Sequence, residues 1–226
     1  MTNWFERYAD AGYTGHVATR TREAIRILQR GGIAVMPTDT ILGLVGSALR
    51  RETVERIFEI RKRDRRKPLI VLIASTRDLA RFGITPSPRL AAFLGRVWPG
   101  PAQPSRKASA DAKAVADKSA GAVSVVLACP GKKFRYLHRG TETVAFRVPK
   151  PPAFRRFLTV TGPLVAPSAN FAGEPPAKTI AEARRMFGNK VDAYLPGVGH
   201  LGRPKSGVPG RTRSSAPSLV VRILRC

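Results

Sequence analysis

Apolar positions along this chain switch between two periods, and the switching predicts its elements. Over residues 21–30, Ala24, Ile25, Ile27 and Leu28 share one side of a helical wheel and the pattern halts at Gly31-Gly32, as a helix with glycine at its end would. Ile33-Ala34-Val35-Met36 follows as an unbroken apolar run. It reads as a buried strand that delivers the chain into a polar turn, Pro37-Thr38-Asp39-Thr40, which continues through Gly43 and Gly46. Helical spacing returns over 52–62 with Val54, Ile57, Phe58 and Ile60. Leu69-Ile70-Val71-Leu72-Ile73-Ala74 is apolar throughout, fit for a strand covered on both faces. Residues 75–82 and 87–97 predict helices, the second ending at Trp98-Pro99-Gly100-Pro101. Strands are predicted over 123–128 and 143–148, and a short one runs from Gly162 towards Pro167. Thr179 with Glu182 three residues on is a capping box, opening a helix that closes near Gly188. Residues 191–195 and 219–224 are two final strand candidates. The alternation predicts an α/β fold, a single domain with a twisted mixed sheet.

Two stretches interrupt the pattern. Residues 102–122 are mostly Ala, Lys, Ser and Asp, with Val115 the one sizeable aliphatic side chain, so a helix there would have no face to bury. Residues 202–215 are rich in Gly, Pro, Ser, Arg and Lys, the composition of a mobile loop. Both read as flexible insertions in a domain spanning 19–226, preceded by a polar extension at 1–18.

Composition then narrows the chemistry. The 226 residues suit one domain, and 43% hydrophobic content supports a packed core. Forty Lys and Arg against fifteen Asp and Glu give a formal charge of +25, which draws polyanions such as RNA, nucleotides or acidic membranes; a basic proteome or basic tails give the same total. Two cysteines and three scattered histidines offer neither a disulfide framework nor metal-ligand spacing. Residues 1–18 lack the apolar segment of a signal peptide, and no apolar run is long enough to cross a bilayer, so a cytoplasmic location is expected.

Four segments carry candidate chemistry. The 37–40 turn sets two hydroxyls and a carboxylate at the end of a buried strand, a rigid support for ligand groups. Arg61-Lys62-Arg63-Asp64-Arg65-Arg66-Lys67-Pro68-Leu69 crowds cations at a helix end with Asp64 as the sole counter-charge. A triphosphate would neutralise such a cluster, and guanidinium forks match phosphate oxygens in pairs; a solvated basic loop is the plainer reading. Pro167-Ser168-Ala169-Asn170 sets a hydroxyl and an amide at i, i+2, able to donate to phosphate or to cap the next segment. Thr143-Val144-Ala145-Phe146-Arg147-Val148-Pro149 places an arginine in an alternating strand, which matters if that face lines a pocket.

Taken in order, Pro37 to Thr40, Arg61-Lys62-Arg63 with Pro68-Leu69, Trp98 to Pro101, Arg147-Val148-Pro149 and Pro167 to Asn170 resemble the threonylcarbamoyl-AMP synthase family, the YrdC-type domain. The resemblance covers about residues 20–101 and 123–200. It implies a twisted sheet around a concave basic cavity and a nucleotidyltransferase. Such an enzyme makes threonylcarbamoyl-adenylate and pyrophosphate from L-threonine, bicarbonate and ATP, for the threonylcarbamoyl modification of tRNA adenosine. It implies Mg2+ with ATP, and a downstream threonylcarbamoyl-transferase complex as recipient. By position, Thr40 and Arg147 would bind threonine. Arg61, Arg63 and Lys67 would be the catalytic cations, with Arg61 in a slot usually held by lysine. Arg63, Lys67, Thr143, Ser168 and Asn170 would bind ATP. Asp39 matches an acidic position that would organise the turn or a metal shell, and no residue is assigned as a metal ligand. Leu42, Leu72 and Pro176 stand where relatives often carry an aromatic residue, a histidine and a serine, and a C-terminal nucleotide contact would fall on Arg222 or Arg225. The alternative reading is a non-catalytic relative that binds double-stranded RNA or tRNA. A carbamoyl-transfer domain like that of hydrogenase-maturation proteins would come with zinc-finger and acylphosphatase modules that this sequence does not contain.

Overall fold

The structure, a computed structural model, describes residues 15–64, 68–99, 123–195 and 219–222. In chain order its elements are helix α1 (Gly15–Gln29), strands β1 (Ile33–Pro37) and β2 (Leu42–Ser47), α2 (Arg51–Arg61), β3 (Ile70–Leu72), a 3-10 turn (Thr76–Phe82) and α3 (Pro88–Val97). There follow β4 (Val123–Ala128), α4 (Arg135–His138), β5 (Thr143–Arg147), α5 (Pro152–Thr161), β6 (Leu164–Val165), α6 (Ile180–Phe187), β7 (Ala193–Tyr194) and β8 (Leu219–Arg222). The strands form one sheet ordered β7-β1-β2-β6-β3-β5-β4-β8. β1 pairs antiparallel with β2, β2 and β3 with β6, and β4 with β5, while β1–β7, β3–β5 and β4–β8 are parallel. The sheet is therefore mixed.

Each strand buries alternate residues on opposite faces, and the two faces are covered unequally. On one face Ile33, Val35, Leu44, Val71, Val125, Val144, Phe146 and Val165 join a single core with Phe58, Leu94, Leu137 and Phe187 from α2, α3, α4 and α6. On the other, Ala34, Met36, Val45, Leu72 and Leu164 pack under Leu28 of α1 and Phe154, Phe157 and Leu158 of α5. Among the described helices only α1 and α5 contribute to this second core. By alternation, Ser124, Val126 and Ala128 of β4 and Ala145 and Arg147 of β5 share its face, and Val126, Ala128 and Ala145 are only partly buried. That half of the sheet is where a ligand could reach the strands.

Most elements sit where periodicity puts them, with informative exceptions. α1 begins at Gly15, six residues before the expected start and across the boundary drawn at residue 18. The 75–82 segment is 3-10 rather than α. β2 occupies what reads as the continuation of a turn. Its six residues are all buried, and its glycines admit neighbours: a Cβ on Gly46 would lie 2.5 Å from Thr53 Cγ2 of α2, and one on Gly43 2.7 Å from Thr38 Cγ2. Glycine here serves close approach, not chain reversal. α5 goes unpredicted because it opens on prolines, which at a first turn cost nothing. The capping box at α6 is shifted: Thr179 Oγ1 accepts from Glu182 N, but Glu182 Oε2 accepts from Lys178 N. The expected insertions at 102–122 and 202–215 lie outside the described residues.

Candidate active site

The β1–β2 connection is a tight hydroxyl-lined turn. Thr38 N and Thr38 Oγ1 both donate to Ile41 O, at 3.0 and 2.7 Å, and Thr40 N donates to Thr38 Oγ1 at 3.3 Å. The two threonine hydroxyls lie 3.3 Å apart. Between them in sequence, Asp39 turns inward, its side chain 4% exposed, and places Oδ1 3.6 Å from Arg147 Nη1 on β5. β6 and β3 separate β2 from β5, a span of about 14 Å at ordinary strand spacing, so the turn bends over the sheet face to reach Arg147.

Arg147 is held from the other side as well, since its Nε donates to Ser124 Oγ on β4 at 3.0 Å. Both ends of the Asp39–Arg147 pair are strained electrostatically. Burial pushes the Asp39 carboxyl up against the pull of Arg147, and burial lowers Arg147 against the pull of Asp39. Among the described residues neither Asp39 oxygen has a partner within ordinary hydrogen-bond distance, although Arg147 lies just beyond it and still pulls the carboxyl down, and both oxygens are enclosed.

A second cluster lies where α2 ends beside the 167–170 turn. That turn is pinned to β2 by Leu44 N donating to Pro167 O and Ala169 N to Leu42 O, both at 2.9 Å. Arg61 is 2% exposed. Its Nε donates to Asn170 O at 3.0 Å, and its Nη2 to Asn170 Oδ1 at 2.7 Å and Ser168 Oγ at 3.1 Å. Ser168 Oγ in turn donates to Asn170 Oδ1 at 2.6 Å, and Asn170 Nδ2 donates to the carbonyls of Phe171 and Glu174. Burial, with Arg63 adding to it, lowers Arg61 to about 10. Arg61 Nη1 has no hydrogen-bond partner.

α2 can end this way because Lys62 adopts the left-handed region, φ 50°, with Lys62 N bonded to Glu59 O and Arg63 N to Phe58 O. The chain turns sharply there, so Arg61 packs inward while Arg63 goes on to set its Nη2 3.4 Å from Pro68 O. Arg63 is half-buried and lowered by that burial, an effect Asp64 opposes.

The structure thus brings Thr40, through its neighbour Asp39, to Arg147, and brings Arg61, Ser168 and Asn170 into mutual contact. Gly43 joins the groups: it bridges to Ser168 across the strands and lies under Thr38. Thr143 stands apart at the opposite end of β5 from Arg147, bonding through Oγ1 to Thr141 Oγ1 at 3.2 Å. Lys67 lies outside the described residues, as does Arg225; Arg222 is the register partner of Val126 on β4. Leu42 and Leu72 are buried in the two cores, and Pro176 is exposed. Ser124 was not anticipated as a site residue. The signal available was one hydroxyl in an otherwise apolar strand, and it gains meaning only once β4 is known to pair with β5. Among the described residues no three His, Cys, Asp or Glu side chains cluster as metal ligands would.

Comparison with known proteins identifies the family and the fold. The Sua5/YciO/YrdC family model, described as telomere recombination, matches residues 26–115 and 103–212. The threonylcarbamoyl-AMP synthases of Halorhodospira halophila and Nitrosococcus oceani are each 31% identical to the chain; each match takes in 85% of the chain and, respectively, 91% and 94% of the relative. P. abyssi Sua5 complexed with L-threonine superposes with a TM-score of 0.61 at 27% identity, over 77% of this chain and 45% of that one. A double variant of the same Sua5 gives 0.68 at 26% identity, over 91% and 53%, so the chain spans about half the length of that protein. E. coli YciO, at 17% identity and a TM-score of 0.63, shares the fold.

Proposed function

The chain belongs to the Sua5/YciO/YrdC family, and we propose that it acts there as a threonylcarbamoyl-AMP synthase. The reaction joins L-threonine, bicarbonate and ATP. The threonine ammonium group and bicarbonate form a carbamate with loss of water and a proton. A carbamate oxygen then attacks the α-phosphorus of ATP, forming threonylcarbamoyl-adenylate as the bond to pyrophosphate breaks. Both reacting partners are anions, so holding them together and cancelling charge is the main catalytic demand.

The residues divide that demand. Thr40 offers a hydroxyl to threonine and Arg147 a guanidinium to its carboxylate. Arg63 binds the phosphates, the role the family resemblance also implies for Lys67; Ser168 and Asn170 meet the nucleotide, and Thr143, at the far end of β5, would meet a part of it remote from them. Arg61 acts through the turn it braces: with its Nε and Nη2 bonded to Ser168 and Asn170, it fixes where those groups stand. Losing a donor aimed at a developing charge, or the brace that aims it, typically costs about 10²-fold or more in rate. Mg2+ enters on the nucleotide. Asp39, the enclosed carboxylate of the site, does not fit a metal ligand, because its oxygens face the Arg147 guanidinium, where a cation would be repelled. The phosphates would hold the ion. The charge of +25 supports an encounter with tRNA or double-stranded RNA, and the adenylate would pass to a threonylcarbamoyl-transferase complex.

One observation carries the reading: side chains more than a hundred positions apart along the chain, Arg61 with Ser168 and Asn170 and Asp39 with Arg147, meet around one end of β2 and the open face of β5. The test is pyrophosphate release and adenylate formation with ATP, bicarbonate and L-threonine, each omitted in turn. Formation should need all three, and release indifferent to threonine would overturn the assignment.

A further inference from the structure

Three of the ion pairs among the described residues join distant parts of the chain, and they are built differently. Arg56 and Asp192 meet at 2.7 Å and Arg139 and Glu55 at 2.9 Å, each joined by two hydrogen bonds between guanidinium and carboxylate. Asp39 and Arg147 are the most enclosed of the three, 4% and 6% exposed, yet stand 3.6 Å apart with no hydrogen bond to either carboxylate oxygen. An enclosed pair with no close hydrogen bond between its two charges repays little of its desolvation, and the upward push on the Asp39 carboxyl agrees. Stability does not account for it.

Charge in the site does. The reaction requires a triphosphate and releases pyrophosphate a short distance from the threonine carboxylate. The chain carries +25, and a bare arginine binds phosphate in pairs of hydrogen bonds as readily as a carboxylate. An arginine meant for an amino acid must therefore be kept from phosphate.

We propose that Asp39 divides the site by charge: its carboxylate cancels Arg147 at the turn end, so that end takes a net-neutral amino acid and rejects the phosphate anions gathered at the Arg61–Arg63 end. This rests on the threonine role proposed for Arg147. Because both Asp39 oxygens are enclosed, the effect acts through space, without contact to the ligand. A unit charge about 6 Å from a phosphate still changes binding by about tenfold at the effective dielectric of a protein site, even when largely screened. Asp39 is thus a specificity-determining residue that touches Arg147, not the reacting atoms.

The test is calorimetric titration of L-threonine into the whole protein, with and without saturating pyrophosphate, and of 3-hydroxybutyrate, which is threonine without its ammonium group. In the wild type, threonine affinity should change less than twofold with pyrophosphate. In Asp39→Asn, which keeps the shape, pyrophosphate should weaken threonine about tenfold, and 3-hydroxybutyrate should gain about tenfold relative to threonine. The thermal midpoint of the variant should equal or exceed that of the wild type. Unchanged ratios in the variant overturn the proposal, as does a lowered midpoint with unchanged ratios, which would make Asp39 a structural brace. Should the variant not fold, pyrophosphate competing with threonine in the wild type overturns it alone. Arg147→Lys separates the two layers. If that variant binds threonine normally, the threonine assignment itself fails; if threonine needs Arg147 and Asp39→Asn changes nothing, only the charge division fails.

Discussion

Two buried arginines at this site solve the same problem in opposite ways. Among the described residues Arg61 has no acidic partner; a backbone carbonyl, an amide oxygen and a hydroxyl receive its Nε and Nη2. Arg147 has an acid beside it but, among the described residues, a single hydrogen bond, to Ser124. The first arrangement spends its Nε and Nη2 donors on the protein and so fixes a turn. The second compensates charge while committing few donors, which leaves the guanidinium free to engage a ligand. Side chains of one type and similar burial thus divide into a brace and a binding group, and the division follows from what surrounds each.

The sharpest way to break the comparison is to truncate both. Arg61→Ala leaves Asn170 Oδ1, Asn170 O and Ser168 short of a donor in a buried place and opens a cavity. It should cost about 3 kcal/mol or more of folding stability, with adenylate formation falling over 10²-fold. Arg147→Ala should raise the threonine KM by about 10²-fold with a smaller stability loss, because Asp39, already pushed towards its neutral form, can take up a proton once its partner is gone. Urea denaturation beside initial rates at varied threonine and ATP distinguishes them. Equal stability losses in the two variants would erase the distinction.

A medium effect sharpens it further. Gly43 and Gly46 lie three residues apart in β2, and both are crowded, but against different neighbours. Gly43→Ala would press a methyl to 2.7 Å from Thr38 Cγ2 and disturb the hydroxyl turn; Gly46→Ala would meet Thr53 and Ile57 of α2. Each should cost about 1–3 kcal/mol by overpacking. Only Gly43→Ala should also raise the threonine KM, by several-fold, since only it moves the turn that carries Thr40 and Asp39. Melting curves combined with threonine KM values check this, and equal KM values in the two variants would contradict it.

These particulars show what the sequence could disclose. Apolar runs such as Ile33–Met36 and Val123–Ala128 and helical spacing in 52–62 place most elements, because burial dictates the period. β2 escaped because glycine signals a turn by default, and the reason for Gly43 and Gly46, a turn and a helix pressing on the strand, exists only in three dimensions. The turn residues Thr40, Ser168 and Asn170 were legible as strand-end polar groups. What Arg61 grips was not, since its partners lie 107 and 109 positions away. Likewise Asp39 could be noticed, but its pairing with Arg147 depends on a strand order that local pattern does not encode.

The smallest effect, and the most specific, is a pH dependence. Burial raises the Asp39 carboxyl above its ordinary 3.8, and Arg147 only partly offsets it. Between 3.8 and its raised value the folded protein holds a proton that the unfolded chain has released, so stability attributable to Asp39 is present at lower pH and is lost as pH rises through that window. Asp39→Asn has no such proton to lose. The stability of the wild type relative to this variant should therefore fall as pH rises from about 4 through the raised value and level off beyond it. The size should be modest, because Arg147 opposes the shift. Arg61 titrates only near 10, so it leaves the acid range clear. Denaturation curves of both proteins across the acid range read the difference directly. A relative stability that rises with pH would mean that Arg147 over-compensates Asp39, making the pair a stabilising bridge like Arg139–Glu55 and removing the contrast between brace and binding group.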